Sequence, residues 1–402
     1  MRDKIPNVKA NGYGSFRTDM FGRIKTADGY VLFDSSHRYN ENGDFSDITA
    51  NGATVSHIAE QSSSALTVTT TSGSKVLRET KKVFPYQPGK SLQVMQTFVF
   101  APPKTNLRQR AGYFSRQNGF YLEQDGTNIY FVKRSYTTGQ VVETRIPQSQ
   151  WNIDPLDGSG SSDIVLDLTK AQILFSEYEW LGVGSVRLGF AIDGYFIICH
   201  QFDHANHIDT TYMTTATLPV RYEIENLGTT ASSSTMKQVC VSVISNGGYF
   251  KSSKTHTVIR SSATVGTDYY PLIAIRMASG KTDSVIVPGL IDLFPTSSGD
   301  FEYALIKNPT SITGGSWLTH SALNVEYNIS ATSMVGGEHM LDGFFGATNQ
   351  STTSEDANAA NFAFQLGRTN SDTPVSDVFV LSVRTVSGTG NVKSSLGWFD
   401  LL

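Results

Sequence analysis

Gly119-Phe120-Tyr121-Leu122-Glu123, then Gln124-Asp125-Gly126-Thr127, then Asn128-Ile129-Tyr130-Phe131-Val132 reads as a β-hairpin. Strand side chains alternate between the two faces of a sheet. Asp-Gly between two such runs supplies the left-handed backbone that a tight hairpin turn needs. The same grammar returns downstream, where Ser185-Val186-Arg187-Leu188-Gly189-Phe190-Ala191-Ile192 and Tyr195-Phe196-Ile197-Ile198-Cys199-His200 flank Asp193-Gly194. Working outward, Leu92-Gln93-Val94-Met95-Gln96-Thr97-Phe98-Val99-Phe100 alternates with period two, and so does Ala65-Leu66-Thr67-Val68-Thr69-Thr70. The helical candidates are a turn near Lys170-Ala171-Gln172 and a short piece near Ser176-Glu177-Tyr178-Glu179. Strands at this spacing predict an all-β chain built from sandwiches or jelly rolls.

Composition supports that class. The chain has 402 residues, of which 17 % are charged, 11 % aromatic, 45 Ser and 41 Thr. Low charge with abundant Ser, Thr and aromatics is poor helix material and good strand material. A net charge of −4 without a basic stripe argues against a nucleic-acid partner. No apolar run of about 18 residues is present, so no membrane span is expected. The start, Met1-Arg2-Asp3-Lys4-Ile5-Pro6-Asn7, lacks an apolar signal region. Cys199 and Cys240 each sit in an apolar strand-like run, which predicts two free thiols and synthesis in a reducing cytoplasm.

Three regions are expected. Residues 1–50, Gly- and Asn-rich with scattered aromatics, read as an extended N-terminal arm. Residues 51–250 read as a lectin-like jelly-roll sandwich, with Lys237-Gln238-Val239-Cys240-Val241-Ser242-Val243-Ile244 as its last strand. Residues 251–402 read as a second sandwich. Its strands are expected at Pro271–Met277, Val285–Leu293, Phe301–Ile306, Val325–Ile329, Phe362–Leu366, Val378–Arg384 and Val392–Phe399.

The densest chemical constellation is Cys199-His200-Gln201-Phe202-Asp203-His204-Ala205-Asn206-His207-Ile208-Asp209. A metal would use His200, His204 and His207. Histidines at i, i+4 converge on a helix, and this segment leaves a strand for a loop, so loop hydrogen bonding is the expected role. Glu177 and Glu179 lie near aromatics, but a glycosidase needs a convergent carboxylate pair, and their surroundings lack the E-x-D-x-x-E pattern. Asp154, Asp157 and Asp163 could offer oxygens to Ca²⁺, without the EF-hand spacing. Neither a G-x-S-x-G, a Walker loop nor a dinucleotide fingerprint occurs. Tyr249, Tyr269 and Tyr270 could be interface anchors or sugar platforms. No catalytic, cofactor or metal residue is therefore assigned.

One stretch carries a resemblance. Trp180-Leu181-Gly182-Val183-Gly184-Ser185, Ile192-Asp193-Gly194, His200, Phe202, His204-Ala205-Asn206, Thr210-Thr211-Tyr212-Met213 and Leu218-Pro219-Val220-Arg221-Tyr222-Glu223-Ile224-Glu225-Asn226, with Trp151-Asn152-Ile153-Asp154 and Asp19-Met20-Phe21-Gly22-Arg23 upstream, resemble a virion structural protein of large tailed bacteriophages, marine and cyanobacterial ones in particular. The resemblance covers about residues 15–250. It implies a non-enzymatic fibre, collar or capsid-surface component located in the virion. Such a component would assemble as a symmetric oligomer with copies of itself and other virion proteins. The alternative is a receptor- or glycan-binding module of a phage fibre, with a host surface glycan as partner. The resemblance brings no catalytic residue and no cofactor with it.

Overall fold

A computed structural model of the chain describes residues 29–249, 254–319, 323–346, 353–356 and 364–401. These residues form two β-sandwiches; helix is confined, among them, to two single 3₁₀ turns. No helix there is long and apolar enough to cross a membrane.

The first sandwich has two sheets. Sheet I runs β13 (Tyr195–Phe202), β12 (Val186–Ile192), β11 (Gln172–Tyr178), β6 (Ser91–Val99), β15 (Ser234–Asn246), β4 (Ser63–Val68) and β3 (Thr54–Ile58), with β1 (Gly29–Ser35) also pairing with β15. Sheet II runs β10 (Val142–Pro147), β9 (Asn128–Ser135), β8 (Gly119–Asp125), β7 (Leu107–Phe114), β14 (Val220–Asn226), β5 (Lys75–Thr80) and β2 (Phe45–Ala50). The opening hairpin is β8–β9, paired from Gly119↔Arg134 to Asp125↔Asn128, with Gly126 at φ 58°. Asp193 and Gly194, at φ 51° and 84°, turn β12 into β13. Between the sheets lies one continuous apolar core. Trp151 stacks on Phe131 at 4.1 Å between ring centres. Tyr178 packs against Tyr113 at 5.6 Å and donates its hydroxyl to Ala216 O at 2.8 Å.

The second sandwich pairs a sheet of strands Lys254–Val265, Gly390–Leu401, Val285–Pro295 and Thr353–Asp356 with a sheet led by Tyr270–Met277, Val378–Thr385, Asp300–Lys307 and Glu338–Gly346. Its core includes Trp398, Ile275, Phe379 and Leu381, all buried.

Several expectations change. Residues 29–50, expected in the arm, belong to the first sandwich: β1 pairs with β15 and β2 with β5, so the sandwich begins at Gly29 rather than at 51. Residues 1–28 of the expected arm lie outside the described residues. Ser176–Glu179 is not helical, because Ser176, Glu177 and Tyr178 are the end of β11, paired on both sides. Phe362–Leu366 is not a strand in its described part. There Gln365 Nε2 instead donates to Val83 O of the first sandwich at 2.8 Å. Both cysteines are free, and β15 returns to the first sandwich as expected.

The sandwiches touch through a small apolar cluster of Val83, Val285, Val287 and Leu401, with Tyr249 and Phe399 against it. Beside it, Arg368 N donates to Lys81 O at 2.8 Å.

Candidate functional site

Sheet II carries a dense set of charges on the face turned away from the core. Arg108 and Arg110 on β7, Glu223 and Glu225 on β14, and Glu123 and Asp125 on β8 share that face by strand alternation and register. A single line of ion pairs crosses five strands. It runs from Arg145 to Glu123, then Arg110 (2.6 Å), Glu223 (2.9 Å), Arg221, Glu79 (3.0 Å), Arg368 (2.6 Å) and Asp283 (3.0 Å). The last two residues belong to the second sandwich. Phe114 and Tyr121 lie on the same face, 4.3 Å apart, under the guanidiniums of Arg110, Arg134 and Arg221 at 5.1–5.3 Å. Burial opposes the charge on Glu223, but Arg221 and Arg110 overcome it and hold the carboxyl well below the usual range. These carboxylates are engaged by arginine, so none is poised as a general acid.

Each residue singled out in the sequence has a definite place. His200 is buried and accepts a hydrogen bond from Asn152 N at 3.2 Å. His204 donates Nδ1–H to Gly184 O at 2.7 Å and stacks on Tyr212 at 4.0 Å. Burial pushes each of the two imidazoles down to about 4. His207 lines an open groove instead. The three rings do not converge, and among the described residues no group of three metal-ligating side chains does. Asp154 is buried and accepts from Leu156 N (3.0 Å), Ser162 N (2.9 Å) and Ser161 Oγ (3.2 Å), which fastens its own loop. Asp157 is occupied by Ser159, and Asp163 holds a left-handed turn at φ 56°.

Glu177 and Glu179 do share a depression of about 250 Å³ on the outer side of sheet I, with Ser91, Ser185, Arg187 and Gln201. Glu177 accepts from Ser91 Oγ at 3.2 Å and lies 3.9 Å from Arg187. Tyr249 joins the two cores within the chain. Tyr269 donates to Glu302 at 2.5 Å under Arg384, and Tyr270 lies under Arg260. Tyr269 and Tyr270 also line an open cavity of about 690 Å³ with Asp268, Met334 and His339.

A larger cavity is the groove of about 740 Å³ where the 204–212 loop crosses β9 and β10. Phe131, Lys133 and Ser135 share the inward face of β9, and Ile146, Thr144 and Val142 lie opposite them on β10. Phe131 is in the core and Ile146 packs against it. One step along, the inward pair becomes Lys133 and Thr144, and there the groove opens. Thr137, His207, Asp209 and Thr211 complete its polar lining. Lys133 Nζ donates to His204 Nε2 at 3.1 Å and stands 5.7 Å from the Phe202 ring centre. Among the described residues no carboxylate pairs with it. Burial lowers its pKa. Because His204 Nδ1 carries the hydrogen given to Gly184, Nε2 is the acceptor, and two of the three ammonium hydrogens remain for the groove.

Sequence reading singled out neither Lys133 nor the arginine line. Their signal was present as charge at every second position: Arg108 and Arg110, Arg221, Glu223 and Glu225, and Lys133 following Phe131.

No protein-family model and no curated protein matches the chain. Solved structures similar to it include the β-glucanase of Bacillus licheniformis, at 12 % identity over 55 % of this chain and 99 % of that one, TM-score 0.33. The carbohydrate recognition domain of Emp47p matches at 10 % identity over 54 % and 96 %, TM-score 0.35. A Bacteroides ovatus mixed-linkage glucan GH16 protein matches at 9 % identity over 53 % and 99 %, TM-score 0.36. The sandwich is defined by its own strand pairing, and the chemistry of the groove by its own residues.

Proposed function

We propose that the chain is a non-enzymatic glycan-recognition protein whose site is the groove between the 204–212 loop and strands β9 and β10. The observation that carries this reading is the lining: threonine hydroxyls, Asn206, His207 and the free hydrogens of Lys133 around about 740 Å³. That volume lies within the roughly 300–1,000 Å³ typical of small-ligand sites. Dense hydroxyl and amide groups suit a polyhydroxylated ligand, whose own hydroxyls both donate and accept. A hydrolytic role has less support, because the carboxylates of sheet II are held by arginines and Glu177 is tied to Ser91 and Arg187.

The resemblance of residues 180–226 to tailed-phage virion proteins supports placing this module on a particle. There its neighbours would be other virion proteins and copies of itself, and a host surface glycan its target.

A glycan array probed with the full chain tests the binding reading. Retention of a defined subset of glycans, lost on Thr144→Arg, is expected, since the longer side chain fills the groove. A folded protein that retains no glycan overturns it. Polysaccharide turnover that disappears on Glu177→Gln would instead assign the function to the depression on sheet I.

A further inference from the structure

We infer that the groove selects an anionic sugar, its charge a ring carboxylate or a sulfate ester, through the ammonium of Lys133. This rests on the glycan-binding reading and narrows it to a ligand class. The geometry carries it. Lys133 occupies an inward position on β9 that continues the core stripe, so its stem lies along apolar surface beside Phe202 while Nζ reaches the groove. The neighbouring arginines on the opposite face of the same sheet each meet a carboxylate, whereas Lys133 meets only the neutral nitrogen of His204.

A half-buried cation without a counter-charge is unfavourable. It becomes favourable when a ligand supplies the missing anion. The two remaining hydrogens on Nζ can then be directed at that anion. His204 is held in place by Gly184 and the Tyr212 ring, so it positions the ammonium and adds no competing charge. Thr144, paired with Lys133 across the strands, and Thr137 and Thr211 at the walls remain for the ring hydroxyls. Asp209 and His207 lie at the exposed rim. The lowered pKa of Lys133 agrees with a desolvated, unpaired ammonium.

Calorimetric titration of the full chain tests this with acidic oligosaccharides, each beside its own neutral derivative. The uronate arm uses trigalacturonate, triguluronate and a hyaluronan tetrasaccharide against their methyl esters. The sulfate arm uses a carrageenan tetrasaccharide against its desulfated form. At least one acid is expected to bind about tenfold or more tighter than its neutral partner. That preference should shrink as salt rises from roughly 0.05 to 0.5 M, because the charge pair is partly solvent-screened. Whichever arm gives the preference identifies the anion. Lys133→Met should bring the ratio of acid to neutral affinity to about one, and Lys133→Arg should keep a preference. Equal binding of acid and neutral partners overturns this inference while leaving the glycan reading standing. Absence of binding by every member, charged and neutral, overturns both. The acid–neutral comparison on the unaltered protein does not depend on any variant folding.

Discussion

Two parts of sheet II handle positive charge in opposite ways. On the outer face, Arg145, Arg110, Arg221 and Arg368 alternate with Glu123, Glu223 and Glu79, and the line ends on Asp283. On the inner face, one strand in from the edge, Lys133 has an imidazole and no acid among the described residues. The first arrangement is closed, since every charge is answered within the chain. The second is open: among the described residues no carboxylate answers Lys133. Strand face and register decide whether a cation of this sheet meets a carboxylate.

The largest effect that can break this contrast is expected at Glu79. It is fully buried, bonded to Arg221 and Arg368, and accepts from Ser371 N at 2.9 Å. Glu79→Ala takes the shared carboxylate from two buried guanidiniums, leaving Arg221 on Glu223 and Asp372 and Arg368 on Asp283 alone, and should cost about 3 kcal/mol in urea unfolding. A loss under about 1 kcal/mol would show that the line is not a fixed part of the fold.

Next comes acid. Burial pushes His37, His200 and His204 down to about 4 from an ordinary 6.5. Between those values the unfolded chain binds protons at these positions and the folded chain does not. Unfolding free energy therefore falls as pH drops from about 6.5 to about 4, and the loss levels off below that. With solvent screening, about 1 kcal/mol per histidine is expected, read as a falling urea midpoint between pH 7 and pH 4.5. An unchanged midpoint would mean that the three imidazoles are open to water.

Lys133→Met sharpens the comparison from the other side. Removing a cation that has no acid should shift stability by less than about 1 kcal/mol, in the stabilising direction if at all. A loss comparable to that of Glu79→Ala would make Lys133 part of the structural charge set. Smallest of all is Asp342→Asn, which unpairs an exposed His339–Asp342 contact with side chains 43 % and 48 % accessible. Its effect should stay below about 0.5 kcal/mol.

Much of the fold was legible because its signals are local. Gly126, after Asp125, and Asp193-Gly194 turn where two-residue hairpins require left-handed backbone, and strand alternation marked β6, β12 and β13. What escaped depends on distant pairing. β1 is short and bracketed by Gly and Ser, and becomes a strand through β15. Ser176–Glu179 carries a mixed pattern that two flanking strands settle as β. The arginine line needs the cross-strand register before Arg110 can be seen to face both Glu123 and Glu223. Lys133 was hidden for the same reason. A lysine in a strand reads as solvent-facing until the direction of its face is known. The histidine cluster drew notice by density alone, and the backbone uses two of its three rings.

The place of β15 has a consequence for how the protein is made. It sits between β6 and β4 in sheet I and also receives β1, with Gly29 paired to Asn246. The middle of that sheet is thus among the last parts of the sandwich to be synthesised. At translation rates of about 5–20 residues per second, β4 and β6 wait on the order of ten seconds or longer with unpaired edges. Such non-local closure is slow, and in the interval those edges are open to pairing with another nascent chain. The first sandwich therefore folds against a clock set by the ribosome, and bound chaperones should raise its yield more than they would for the same strands in hairpin order.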